Sequence, residues 1–172
     1  MPAADVLCEK RGRPAAFSPE TLNRLKTLIP DGAGPGNPVD ISDNGDERRY
    51  AEALECLLDD PGVDAILVLR CPNALVPGVD AARAVIDTYQ AKSRGDSRKP
   101  TLLTCWLGER SAVGSRQYFV DHPIPTYETP DDGVRSFMQI VRYQHNRKML
   151  METPSAVSKR FTPDTAAARG VI

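Results

Sequence analysis

The sequence predicts an α/β fold: a three-layer domain with a parallel sheet between helices. Two runs carry that reading. Residues 65–71 and 101–107 are apolar almost throughout, with no charge before Arg70 in the first, and strands of that kind are buried on both faces. Around them lie segments with apolar residues at helical spacing, so strands and helices alternate. A third mark is Gly36-Asn37-Pro38-Val39-Asp40-Ile41, where a Pro-rich loop delivers a short apolar stretch that meets a carboxylate.

The elements follow in order. Residues 3–11 form a short helix closed by Gly12, and residues 13–17 are a weak strand candidate. Ser18-Pro19-Glu20 starts the next helix, with Ser as cap, Pro in the first turn and an acid after it. Leu22, Leu25 and Ile29 give it an apolar face, and Pro30 ends it. Residues 31–38 are a loop and residues 39–42 a short strand. Asp43-Asn44-Gly45-Asp46 turns and caps a helix over 47–59, striped by Tyr50, Ala53, Leu54, Leu57 and Leu58. Pro61-Gly62 breaks it before the first apolar strand. A helix over 79–92 follows, with Ala82, Val85, Ile86 and Tyr89 inward. Residues 93–99 form a polar loop, and the second apolar strand comes next. Residues 111–120 are helical and residues 125–128 a short strand. Thr129-Pro130-Asp131-Asp132 then caps a long helix with Val134, Phe137, Met138, Val141 and Leu150 inward. Residues 152–162 read as a linker, and residues 164–170 as the start of another helix.

Composition narrows the function classes. The chain has 172 residues, 41% hydrophobic and 26% charged, which suits one ordinary globular domain with its own core. The formal net charge of -1 provides no field toward nucleic acid or an anionic membrane. No apolar run approaches the roughly 20 residues that span a bilayer, and the amino terminus lacks the basic-then-apolar pattern of a secretory signal. Cys8, Cys56, Cys71 and Cys105 stand far apart with no C-x-x-C pair, which argues against a zinc site and a disulfide framework. Cys71 and Cys105 end apolar runs and are expected to be small buried hydrophobes. A cytoplasmic setting is expected.

In open parallel sheets, ligands sit outside the carboxyl ends of the strands. That places interest on Asp40 and Asp43, on Arg70-Cys71-Pro72-Asn73, on Trp106-Leu107-Gly108-Glu109 and on Tyr127-Glu128-Thr129. Asp40 and Asp43 have the chemistry to hold a metal or a substrate hydroxyl. The plainer expectation is that Asp40 accepts backbone N–H groups and Asp43 helps cap the next helix. Trp106 suits adenine stacking, and packing in a core or interface is the simpler role. Gly32-Ala33-Gly34-Pro35-Gly36 precedes a strand rather than opening a helix, so it lacks the geometry of a phosphate cradle. His122 and His145 have no neighbouring nucleophile and read as surface residues. No Walker loop, G-x-G-x-x-G or G-x-S-x-G is present.

Five segments, in order, resemble the NDP-forming acyl-CoA synthetases, relatives of succinyl-CoA synthetase. They are Gly36-Asn37-Pro38-Val39-Asp40-Ile41, Arg49-Tyr50-Ala51-Glu52-Ala53-Leu54, Val63-Asp64-Ala65-Ile66-Leu67-Val68, Lys99-Pro100-Thr101-Leu102-Leu103-Thr104-Cys105-Trp106 and Ile124-Pro125-Thr126-Tyr127-Glu128-Thr129-Pro130. Val141-Arg142-Tyr143, Leu150-Met151-Glu152-Thr153-Pro154 and Phe161-Thr162-Pro163-Asp164 resemble the subgroup fused to a GNAT lysine acetyltransferase domain. The resemblance implies a flavodoxin-like domain over 1–150. Residues 151–172 would then be a linker toward an ATP-grasp domain.

The resemblance also implies chemistry. The family makes acyl-CoA from an acid, CoA and ATP with Mg²⁺, through a phosphohistidine and an acyl phosphate. Two helix N-termini cradle the phosphohistidine. The expected partners are the CoA-binding, phosphohistidine and ATP-grasp domains, with a homo-oligomer as a further possibility and neither nucleic acid nor membrane. No cofactor is assigned to this chain. Asn37, Asp40, Trp106 and Gly108 are the candidate substrate-binding residues, with no catalytic residue and no metal ligand.

Departures from the family pattern shape the expected role. Neither His122 nor His145 lies in a Ser-His-Thr-Gly loop, and Trp106-Leu107-Gly108-Glu109 replaces Trp-Met-Gly-Gly. The family's Gly-rich turn should precede Ala4-Asp5-Val6-Leu7-Cys8, where this sequence reads Met1-Pro2-Ala3. The expectation is a fragment lacking the first strand, serving as a synthetase module that is not catalytic alone. The alternative is a non-catalytic remnant that assembles with synthetase chains. A receiver-like signalling domain would need a phosphorylatable Asp where Cys71-Pro72-Asn73 stands.

Overall fold

The computed structural model describes residues 2–29, 34, 36–42, 45–72, 77–92, 99–152 and 169–170. Helices α1 (Pro2–Glu9), α2 (Pro19–Leu28) and α3 (Glu47–Leu58) precede strand β1 (Ala65–Arg70). Then come α4 (Gly78–Lys92), β2 (Thr101–Trp106), α5 (Val113–Asp121), β3 (Thr126–Tyr127) and α6 (Pro130–Met151). The chain divides into two compact units, Met1–Gln139 and Ile140–Ile172. Everything from α1 to the first half of α6 belongs to the first.

The sheet runs β1-β2-β3 and every pairing is parallel. Ala65 stands beside Thr101 and Arg70 beside Trp106, and Thr104 beside Thr126. Because side chains alternate along a strand, Ile66, Val68, Leu102 and Trp106 share one face. That face is the floor of the main core, which also takes Leu54 of α3, Ala81, Ala82, Val85 and Ile86 of α4 and Phe119 of α5. The opposite face meets the start of α6. A Cβ on Gly133 would lie 3.3 Å from Leu67 Cδ1 and 3.4 Å from Tyr127 Cδ2, so the helix approaches the sheet closely there. Helices on both faces of a parallel sheet give the three-layer α/β class expected above.

Local signals place the helix starts. Ser18 Oγ accepts from Thr21 N at 3.2 Å, Asp46 Oδ1 from Arg49 N at 2.9 Å, and Thr129 Oγ1 from Asp132 N at 3.2 Å. Each satisfies one of the N–H groups that a helix leaves without an internal acceptor.

Several expectations need correction. Residues 13–17 and 39–42 belong to no strand. Their apolar side chains are satisfied without a ladder: Ala15 and Phe17 pack on the main core. Val39 and Ile41 pack on a second cluster of Leu25, Ile29, Ala53 and Cys56. Side chains bond their backbones in place of a ladder, with Ala15 O accepting from Asn37 Nδ2 at 3.0 Å and Asp40 Oδ1 from Ser42 N at 2.9 Å, and Ser42, at φ 72°, is not extended. Cys71 is exposed because β1 ends one residue earlier, whereas Cys105 is buried as expected. Val141 and Leu150 are 39% and 87% exposed, not inward. Helical spacing identifies an apolar stripe but not whether anything covers it. Asp43 and the 93–98 loop lie outside the described residues, as do residues 153–168 of the carboxyl-terminal segment.

Asp60 is the buried carboxylate that ties the start of α2 to the turn before β1. Its oxygens accept from Ser18 N at 2.8 Å and Gly62 N at 2.7 Å. Burial alone would raise its pKa. The hydrogen bonds from Ser18, Thr21 and Gly62 outweigh that and hold it below the ordinary carboxylate value. A depressed folded-state pKa means stability that is present above the unfolded pKa, about 4, and is lost as pH falls through the folded value. Asp60→Ala is expected to cost about 2–3 kcal/mol at neutral pH, since it strands buried N–H donors. Urea unfolding at pH 7 and pH 3 checks this, and the gap between wild type and variant should narrow at the lower pH.

Candidate functional site

The carboxyl ends of β1 and β2 form the candidate site, together with the start of α4, the first turns of α5 and Tyr50 of α3. Trp106 closes β2 and is 1% exposed. Its ring meets Phe119 edge-on, with centroids 4.7 Å apart at 67°, and Tyr50 at 6.3 Å. Its Nε1 donates to Gly78 O at 3.2 Å, so the indole joins the end of β2 to the first residue of α4. Its neighbour in register, Arg70, is 6% exposed. Burial lifts the Tyr50 phenol above its ordinary pKa, and the Arg70 charge pulls it back in part.

The loop after β2 is held by Arg116 of α5. Its Nε and Nη2 donate to Trp106 O at 3.1 and 2.8 Å, Nη2 also to Gly108 O at 3.1 Å, and Nη1 reaches Glu128 Oε1 at 3.0 Å. Gly108, at φ 100°, makes the turn this clamp requires. A Cβ there would lie 2.5 Å from Ser111 Oγ and 2.7 Å from Pro72 Cγ, so no larger residue fits without displacement. Gly108→Ala should therefore cost about 1–3 kcal/mol through backbone strain and crowding, read as a fall in the urea midpoint at unchanged slope.

The four candidate substrate-binding residues fall into two places. Trp106 and Gly108 share the strand-end loop. Asn37 and Asp40 lie on the 36–42 segment, whose Val39 and Ile41 pack on the second cluster. Asn37 Nδ2 donates to Ala15 O at 3.0 Å, and both Asn37 and Asp40 are exposed. His122 rests against the Tyr118 ring, its Nδ1 2.8 Å from Tyr118 O, and His145 is exposed on α6. Arg70 was named in the sequence among the strand-end residues, whereas Ser115 and Arg116 were not. Arg70 was legible as a charge closing an otherwise apolar strand. Ser115 and Arg116 had no local signal, because α5 is barely amphipathic and the partners of Arg116 lie eight to twelve residues away.

The cysteines provide a check on this geometry. Burial pushes the Cys105 thiol up to about 11. In the native chain Cys8 and Cys71 should react with a thiol reagent at pH 8 within minutes. Cys56 and Cys105 should react only after unfolding. Among the described residues, no three His, Cys, Asp or Glu side chains come together as a metal ion would require. No helix among them is long and apolar enough to cross a membrane.

Fold and site thus define a parallel α/β domain whose strand-end loop is held by an arginine clamp. Comparison with known proteins makes the class more specific. The chain is 29% identical over 142 residues to ADP-forming acetate–CoA ligase I of Archaeoglobus fulgidus, a match covering 82% of this chain and 19% of the ligase. It is 27% identical over 139 residues to the alpha subunit of ADP-forming acetate–CoA ligase II of Pyrococcus furiosus, covering 80% and 30%. Among solved structures, the apo form of a dinucleotide-forming acetyl-coenzyme A synthetase 1 from Candidatus Korarchaeum cryptofilum superposes with a TM-score of 0.78. That superposition covers 90% of this chain and 33% of the synthetase, at 21% identity, and speaks for the fold. No family model matches the chain. The chain is homologous to a segment of the ADP-forming acetyl-CoA synthetases, and it spans 19% and 30% of these two curated relatives.

Proposed function

We propose that this chain is a module of an NDP-forming acyl-CoA synthetase and is not catalytic alone. The observation that carries the proposal is the 142-residue match to an ADP-forming acetate–CoA ligase. It covers 82% of this chain, and a synthetase of known structure shares the fold. In this reading, nucleotide, CoA, Mg²⁺ and the phosphorylated histidine are handled by the other synthetase domains, in a cytoplasmic assembly. This chain contributes an interface and shapes the acyl-phosphate site. Asn37, Asp40, Trp106 and Gly108 form its substrate side: Trp106 and Gly108 set the strand-end loop, and Asn37 and Asp40 set the 36–42 segment.

The linkage to a GNAT acetyltransferase is a finer proposal. It rests on Val141-Arg142-Tyr143, Leu150-Met151-Glu152-Thr153-Pro154 and Phe161-Thr162-Pro163-Asp164. A non-catalytic remnant that assembles with synthetase chains is the competing reading. Association is common to the two, so it tests their shared premise. The chain should co-elute stoichiometrically with chains carrying the CoA-binding, phosphohistidine and ATP-grasp domains. If it elutes separately from all three, both readings fall.

A further inference from the structure

From Gln139 onward every residue of α6 is exposed, although this stretch carries Ile140, Tyr143, Leu150 and Met151. Tyr143 is 66% exposed and Leu150 87%. The last turns of a helix gain little in water from their own hydrogen bonds and are ordinarily held by packing one apolar face. Large apolar side chains grouped on an uncovered face mark an interaction surface.

The pattern of the side chains says what fits it. Ile140, Tyr143, Arg147 and Leu150 recur at spacings of three, four and three, which is the spacing of a helix-pairing seam. The cation within that seam decides between partners. Two copies laid parallel would set Arg147 against Arg147. Two copies laid antiparallel, about a two-fold axis at the level of His145, set Ile140 against the second copy's Leu150 and Tyr143 against its Arg147. Each guanidinium then meets the face of a tyrosine ring, which attracts cations, and the axis makes each contact twice. Gln144 and Asn146 flank the seam without charge. Arg142 and Lys148 stand about 120° to either side of it, at 3.6 residues per turn, and stay in water. A lipid surface fits less well, because Arg147 would lie in the middle of the immersed face.

We propose that the second half of α6 is a homodimerisation surface, on which the same stretch of a second copy lies antiparallel with Tyr143 stacked on Arg147 across the axis. The proposal does not rest on the synthetase reading. The paired area is small, so the dissociation constant should lie at about 10–100 µM.

The test is sedimentation velocity of the full chain over a concentration series that brackets that range, with amide spectra of the same samples. Wild type should pass from monomer to dimer, and the amide resonances of residues 139–152 should move with concentration. Leu150→Glu and Arg147→Glu should each weaken the dimer roughly tenfold or more. Met149→Glu, also exposed but off the seam, should leave it unchanged. Orientation is read by mixing Ile140→Cys and Leu150→Cys chains under mild oxidation, both carrying Cys8→Ser and Cys71→Ser. Disulfides should join position 140 to position 150. A monomer at every concentration, concentration-dependent shifts confined to other residues, Leu150→Glu no weaker than wild type, Met149→Glu as disruptive as Leu150→Glu, or disulfides joining 140 to 140 would each overturn the proposal. A monomer that sediments with phosphatidylserine vesicles would overturn it in favour of lipid. The wild-type series decides the matter even if a variant fails to fold.

Discussion

Trp106→Ala should lower the unfolding free energy by about 3–5 kcal/mol, the usual cost of emptying an aromatic core position. Domains of this size are stable by about 5–15 kcal/mol, so the variant should be largely unfolded in mild urea. The indole is 1% exposed, touches Phe119 and Tyr50, and bonds Gly78 O, so its loss opens a cavity where β2, α3, α4 and α5 meet. Trp106→Phe separates two contributions. It keeps most of the apolar volume and removes the N–H, and should cost about 1–2 kcal/mol. Because Trp106 is the single tryptophan, both variants are followed by circular dichroism rather than by fluorescence. Equal costs for the two would mean that the hydrogen bond, not the packing, holds this corner.

Arg116→Met should cost about 2–4 kcal/mol, although methionine keeps most of the aliphatic stem. The loss comes from the two carbonyls that the guanidinium serves, Trp106 O and Gly108 O, each giving up a charge-assisted bond. The ion pair with Glu128 adds little, because that carboxylate is 78% exposed and screened by water. Glu128→Ala should therefore cost no more than about 0.5 kcal/mol. Urea titrations of the two variants check the contrast. A Glu128→Ala cost equal to that of Arg116→Met would show that the ion pair, rather than the carbonyl clamp, fixes the loop after β2.

Most of the α/β frame was legible in the sequence, and the reason is local. Ser18, Asp46 and Thr129 announce helix starts because a cap is a contact within three residues. The runs in β1 and β2 read as buried parallel strands because nothing polar interrupts them before Arg70. What failed depended on tertiary surroundings. Residues 13–17 and 39–42 have strand-like composition, yet Phe17, Val39 and Ile41 bury against the α2–α3 cluster, while side chains rather than a neighbouring strand bond Ala15 O and Ser42 N. Val141 and Leu150 continue a helical stripe that is exposed at their positions.

The candidate site was legible only in outline. The rule that ligands gather at the carboxyl ends of parallel strands pointed to Trp106, the last residue of β2, and to Gly108 in the loop after it. It could not reveal Arg116, whose acceptors lie eight and ten residues back. Nor could it reveal Ser115, an ordinary serine in sequence that becomes notable through its burial and its missing partner.

The most direct test of the central claim is acyl-CoA synthesis by a reconstituted set of chains. The chain is incubated with ATP, Mg²⁺, acetate and CoA, alone and then with chains supplying the CoA-binding, phosphohistidine and ATP-grasp domains, and thioester formation is followed. A synthetase module predicts no thioester from the chain alone, little from the partner chains without it, and turnover when all are combined. Combined chains that bind one another but make thioester no faster with this chain than without it would contradict the account and leave a non-catalytic remnant.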